Sequence, residues 1–210
     1  MKYNFYNILC IQNDFYGLYE NFLVKNNEKV IEISEKNCKL INIENNVGLQ
    51  SYNKLMIFDN LLNIINTYQC NVCCYIDDVL ILGANNLLTV YIKSNKKIEI
   101  YLEEEITCIA TNMLFSAIYC GSPSGKIYLV NLNNTKNIVM DYHDTKVTFL
   151  KMSFCNRFLF STDNKGEILC WDCRHNVVCD RTLLEDKIED LQMVIIGNLG
   201  IDEKIPIRDF

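Results

Sequence analysis

The stretch from His143 to Arg174, HDTKVTFLKMSFCNRFLFSTDNKGEILCWDCR, divides into three short segments rich in apolar residues. Val147 to Ser153 is the first, Phe158 to Thr162 the second and Glu167 to Cys173 the third. Asp163-Asn164-Lys165-Gly166 separates the last two. Asp and Asn bond to their own backbone and Gly accepts left-handed angles, so this tetrapeptide predicts a tight turn. Short segments bounded by turn residues predict strands, and Val177 to Leu183 supplies a fourth. One such four-stranded unit cannot bury its own apolar faces, so it requires similar units stacked beside it.

This unit resembles the WD-repeat family, whose blades open with Gly-His and close their third strand with Trp-Asp. Tyr142-His143 stands at the opening here and Trp171-Asp172 at the close, with Gly166 in the turn and Ile168 and Cys170 along the strand. The resemblance implies an all-β fold, a β-propeller of four-stranded blades. It also implies a hydrogen-bonded tetrad of His143, Ser161 or Thr162, Asp163 and Trp171. The family's turn Asp falls at Lys165, so either Asp163 substitutes from a shifted turn or the tetrad is broken.

Looser copies precede this unit. CGSPSGKIYLVNL, Cys120 to Leu132, has Val130-Asn131 in place of Trp-Asp; Leu82 to Lys93 gives Tyr91-Ile92 and Lys54 to Asp59 gives Phe58-Asp59. Phe58, Tyr91, Val130 and Trp171 are then spaced by 33, 39 and 41 residues. The last two intervals fit the repeat of about 40–45 residues. Phe22 to Ser34 reads as a further hairpin, Asn42 to Asn46 as a loop, and Lys187 to Ile196 as the first strand of another blade. The expectation is about five blades in a single propeller domain, or propeller fragment, over residues 1–210, with the clearest at 62–101, 102–142 and 143–184.

Two segments are similar to one branch of the family, the WD-repeat subunit of the rixosome, which matures pre-60S ribosomal particles. Ile106 to Val130 carries Gly121, Gly125, Ile127 and Tyr128 at matching places, and Ile188 to Ile195 follows at a matching distance. The resemblance spans about Thr89 to Ile196. It implies a scaffold in ribosome biogenesis and rRNA processing, nuclear or cytoplasmic, with subunits of a large assembly as partners. A WD-repeat adaptor in ubiquitin ligation, trafficking or signalling is the alternative, and an enzyme with an unrecognised propeller-face site a further one.

Composition narrows the partners. The 210 residues are 50% apolar, enough for a sizeable core, and carry a formal charge of −6. Nucleic-acid binding through phosphates calls for a basic face, and none is visible. The abundant Asn reads as a bias of coding rather than chemistry. Ile106 to Gly125 carries no charged side chain, but its Thr, Asn and Ser make it too polar for a membrane span. The N-terminus lacks a signal-peptide core and cleavage site, so the protein is not expected to be secreted and its 11 Cys are expected to stay reduced.

Cys70-x-x-Cys73-Cys74 and Cys170-x-x-Cys173 have zinc-knuckle spacing, but the pairs lie about a hundred residues apart. Residues three apart on a strand also point to opposite faces, so Cys170 and Cys173 cannot share an ion unless the strand breaks. His175 and Cys179 could complete a local site; the plainer reading makes these Cys small buried hydrophobes. Asp77-Asp78 reads as a hairpin turn. No nucleophile elbow, phosphate loop or metalloprotease motif occurs. Catalytic residues, cofactors and metals are therefore not expected, and neither is a membrane or a sequence-specific nucleic acid as partner. Glu103, Glu104, Glu105 and Asp144 fall in loops expected on one face; the three adjacent Glu repel one another, which argues against a purely structural role, and the patch either meets a basic partner or is solvated surface.

Overall fold

The computed structural model describes residues 7–184 apart from 21, 27–28, 35–37, 93–95, 113–116 and 133–136. These form five four-stranded antiparallel sheets, each a meander in chain order. The first comprises β1 (Asn7–Ile11), β2 (Asp14–Tyr19), β3 (Phe22–Lys25) and β4 (Lys29–Glu32). The second holds β5 (Lys39–Ile43), β6 (Asn46–Gln50), β7 (Lys54–Phe58) and β8 (Ile64–Gln69). The third holds β9 (Val72–Ile76), β10 (Val79–Ala84), β11 (Leu87–Ile92) and β12 (Lys96–Tyr101). The fourth holds β13 (Cys108–Thr111), β14 (Ala117–Gly121), β15 (Lys126–Asn131) and β16 (Asn137–Asp141). The fifth holds β17 (Val147–Met152), β18 (Phe158–Asp163), β19 (Glu167–Asp172) and β20 (Val177–Leu183).

Alternation sends successive side chains to opposite faces, so each inner sheet feeds two cores. Leu40, Leu49 and Met56 of the second sheet pack with Leu18 and Leu23 of the first, while its Ile41, Leu55 and Ile57 pack with Leu80, Leu82 and Tyr91 of the third. Ile81 and Val90 of the third meet Ile118, Tyr128 and Val130 of the fourth. Tyr119, Ile127 and Leu129 of the fourth meet Leu159, Leu169 and Trp171 of the fifth. Four cores therefore join five sheets in sequence. The leading strands β1, β5, β9, β13 and β17 lie side by side in that order. The last strand of each sheet is the wettest; Ile64 to Thr67 of β8 are all exposed.

The repeat register read from sequence holds. Phe58, Tyr91, Val130 and Trp171 each pack into the core shared with the preceding sheet. One boundary needs correction. The blade placed at 62–101 starts later, because Ile64–Gln69 pairs with β7 in the second sheet and the third sheet begins at Val72. The hairpin expected over Phe22 to Ser34 is β3 and β4. Asn42 to Asn46 is not a loop: only Glu44 and Asn45 turn the chain between β5 and β6. Ile106 to Gly125 contains β13 and β14, and among the described residues no helix is long and apolar enough to cross a membrane. Lys187 to Ile196 lies outside the described residues.

The Asn content, read from sequence as a bias of coding, has a structural use. Asn26, Asn85, Asn156 and Asn176 have positive φ in turns, a region that Asn tolerates better than most residues. Asp77 and Asp78 both have positive φ, as a two-residue hairpin turn of type I′ requires.

Candidate functional site

The residues nominated for the tetrad converge where the connector from the fourth sheet enters the fifth. Ser161 and Trp171 lie on one face of adjacent strands because Ser161 pairs with Leu169, two residues from Trp171. The indole Nε1 of Trp171 donates to Ser161 Oγ at 2.8 Å. Ser161 Oγ also lies 2.6 Å from His143 Nε2, and His143 Nδ1 lies 3.0 Å from Glu167 Oε2. With one proton per link, the indole N–H donates to Ser161, Ser161 to Nε2, and Nδ1–H to Glu167; this assigns the tautomer from the partners. Burial is the largest influence on His143 and pushes its pKa down, against Asp163 and Glu167, which pull it up. A neutral imidazole fits that relay.

The membership differs from expectation in one place. Asp163 Oδ2 is 3.9 Å from His143 Nδ1, too far for a hydrogen bond, and Glu167 takes that position. Asp163 instead braces the β18–β19 turn: Oδ1 accepts from the N–H groups of Lys165 and Glu167, both at 2.9 Å, and Oδ2 accepts from Thr145 Oγ1 at 2.6 Å. Burial opposes its charge, but these bonds outweigh burial and hold its pKa below the usual carboxylate range. Glu167 is buried, and its Oε1 meets the guanidinium of Arg181 on the adjacent strand β20. The signal for Glu167 was present in sequence: 167, 169 and 171 share a strand face, so Glu167 had to follow Trp171 inward. Arg181 carried no such signal. Thr162, the alternative to Ser161, lies on the other face, with its Oγ1 2.9 Å from Thr148 Oγ1.

His143, Asp163 and Glu167 are the one cluster of three metal-type donors among the described residues, with donor atoms within 4.8 Å of one another. Each already has a protein partner, and Arg181 supplies positive charge. Asp172 accepts from the N–H of Arg174 at 2.9 Å and from Arg157 at 3.3 Å, capping the end of β19. Tyr142, where the family places Gly, stands edge-on to Trp171 with ring centroids 5.4 Å apart. Cys173 packs into the core between the fourth and fifth sheets and Cys170 does not, which places them on opposite faces.

The loop carboxylates divide by role. A meander puts the connectors between sheets and the turns between second and third strands at one end of the stack. Glu103, Glu105 and Asp144 are exposed there. Glu105 accepts from Asn71 Nδ2 at 3.2 Å, and Asp144 lies 3.5 Å from Lys165 Nζ. Glu104 is different. It accepts from Ser124 Oγ at 2.8 Å and Tyr128 OH at 3.2 Å, and pairs with Lys126 at 3.3 Å. Burial opposes its charge, but these donors outweigh burial and lower its pKa, while burial beside Glu104 raises Tyr128 to about 12. Repulsion among three carboxylates suggested no structural role; Glu104 has one, because the β14–β15 turn folds beneath the connector. Tyr52, Tyr101 and Tyr142 are exposed at the same end.

Solved structures with the same arrangement include WD-repeat propellers. A chain of the mitotic checkpoint complex superposes with a TM-score of 0.66 at 10% identity, over 83% of this chain and 62% of that one. Kluyveromyces lactis Hsv2 superposes at 0.64 with 12% identity, over 79% and 61%. Hsv2 with loop 6CD replaced by a Gly-Ser linker gives 0.71 at 12% identity, over 86% and 68%. The fold is that of a WD-repeat β-propeller. This chain thus spans a little under two thirds of the first two propellers it matches. No family model matches it, and no curated protein does.

Proposed function

We propose that the protein is a non-catalytic propeller scaffold that assembles macromolecules through the end of the stack formed by its connectors. One observation carries this reading. Polar groups capable of acid–base chemistry, His143, Ser161, Asp163 and Glu167, are buried and committed to one another, whereas Tyr52, Tyr101, Tyr142, Glu103, Glu105 and Asp144 face solvent. Enclosed, satisfied groups hold a fold together; exposed aromatics and carboxylates supply contact area and charge to a partner. A Lys-rich segment of a neighbouring subunit, such as a ribosomal-protein tail, is the complement. Affinity capture of the tagged chain with mass spectrometry tests the reading. Stoichiometric protein partners lost on charge reversal at Glu103 and Glu105 support it; recovery of the chain alone, or turnover traced to this end, defeats it.

The finer proposal places this scaffold in pre-60S ribosome assembly, in the nucleus or cytoplasm. It is supported by the sequence of Ile106 to Val130; its second motif, Ile188 to Ile195, lies outside the described residues. The tagged protein should sediment with large-subunit precursors. Capture of ubiquitin-ligase, trafficking or signalling subunits without ribosome-assembly factors would replace this assignment and leave the scaffold reading intact.

A further inference from the structure

β19 and β20 pair in regular register up to Cys170, which faces Asp180; the next pair is Trp171 with Val178. Cys179 is therefore the extra residue of a bulge and has no Cα partner. The bulge brings its thiol to Cys170: the two Sγ atoms are 3.5 Å apart, and Cys179 Sγ lies 3.2 Å from the Cys170 carbonyl oxygen. A disulfide needs roughly 4.4–6.8 Å between α-carbons and about 2.05 Å between sulfurs. The two sulfurs, on strands already adjacent, must close from 3.5 Å to bonding distance. Cys179 is exposed and Cys170 partly covered, so an oxidant in solvent reaches one thiol directly and the second waits beside it.

We propose that Cys170 and Cys179 form a reversible, peroxide-responsive disulfide that staples the outer strand β20 to β19. The Cys179 thiolate attacks hydrogen peroxide; its sulfur takes one oxygen as a sulfenic acid, and the other leaves as hydroxide, which becomes water with the thiol's former proton. Cys170 sulfur then attacks the sulfenic sulfur; the S–O bond breaks, and hydroxide departs with the Cys170 proton as a second water. Two thiols lose two electrons and two protons, and one peroxide is reduced to two waters. A dithiol reductant reverses the change. Burial pushes the Cys170 thiol pKa up, which suits a partner that stays protonated until the neighbouring sulfur is oxidised. Cys173 cannot substitute for Cys170, because it packs into the sheet-to-sheet core on the opposite face.

The reporter is built in: Trp171, the only Trp, follows Cys170 in the chain. The full chain is treated with a small excess of hydrogen peroxide, quenched and digested without reductant. We expect two of the 11 thiols to be lost, a linked Cys170–Cys179 peptide, quenched Trp171 fluorescence, and reversal of all three changes with dithiothreitol. Cys170→Ser should stop Cys179 at a sulfenic acid that dimedone traps. Cys179→Ser and Cys179→Ala should leave Cys170 unmodified. Cys155→Ser, at an exposed thiol in the β17–β18 turn, should leave the linkage unchanged. Thiol loss at Cys10 or Cys155 with Cys170 and Cys179 unlinked, or Cys179 advancing to sulfinic acid in the unmutated chain, would overturn the proposal.

Discussion

Gly125 lies against the backbone of His143 so closely that a β-carbon at residue 125 would sit 2.0 Å from the His143 carbonyl oxygen. Gly125 also has φ of +96°, a conformation that L side chains rarely adopt. The turn of one sheet thereby positions the connector carrying the next sheet's buried His. Gly125→Ala should destabilise the protein by at least about 2 kcal/mol, through backbone strain and displacement of His143. Chemical denaturation monitored by circular dichroism checks this; an unchanged midpoint would separate the turn from the buried relay.

Trp171 is fully buried and gives its indole proton to Ser161. Trp171→Ala should cost about 3–5 kcal/mol, the range for removing a large buried aromatic. Ser161→Ala removes far less volume but leaves the indole N–H and the His143 ring nitrogen without their shared hydroxyl. It should cost about 1–3 kcal/mol, as expected for an unsatisfied buried polar group. A Ser161→Ala midpoint equal to that of the unmutated protein would remove this hydroxyl from the stabilising network.

Glu103, Glu104 and Glu105 should not behave alike. Glu104→Lys places a cation against Lys126 and removes the acceptor of Ser124 and Tyr128, so the melting temperature should fall. The double variant Glu103→Lys, Glu105→Lys should stay within about 0.5 kcal/mol of the starting stability, as exposed substitutions usually do. It should slow capture of a basic partner at low salt, with the difference shrinking as salt screens the charges. If Glu104→Lys melts normally, the bonds to Ser124 and Tyr128 contribute nothing measurable.

Acid should weaken the fold, and the sign follows from two groups. Burial lowers the His143 pKa from an ordinary value of 6.5, so below that value the unfolded chain takes up protons the folded chain resists, and stability falls. Asp163 is also held below its ordinary 3.8 despite burial, by the Thr145 hydroxyl and two backbone N–H groups; its contribution is present above that value and lost as pH falls through the folded pKa. The denaturation midpoint should therefore drop between pH 7.5 and pH 5.5 mainly through His143. In His143→Gln that drop should shrink. An equal drop in the variant would assign the pH dependence elsewhere.

The strand order and the spacing of the repeats were legible because period-two alternation and Asn, Asp and Gly turns are local signals. Phe58, Tyr91 and Val130 were placeable for the same reason: packing at those positions asks for a large apolar residue, not for Trp itself. The start of the third sheet was not legible. Ile64–Gln69 is as strand-like as Val72–Ile76, and pairing alone assigns it to β7. Only tertiary structure decided which carboxylate serves His143, because Asp163 and Glu167 stand at the two ends of one turn and a difference of about 1 Å selects between them. It likewise decided that Glu104 is a clasp while Glu103 is exposed, and that Cys179 meets Cys170, since a bulge can reverse the face on which a side chain emerges. Local chemistry set the repeating unit; hydrogen bonds and charges, which depend on distances between residues far apart in the chain, waited for the sheets to stack.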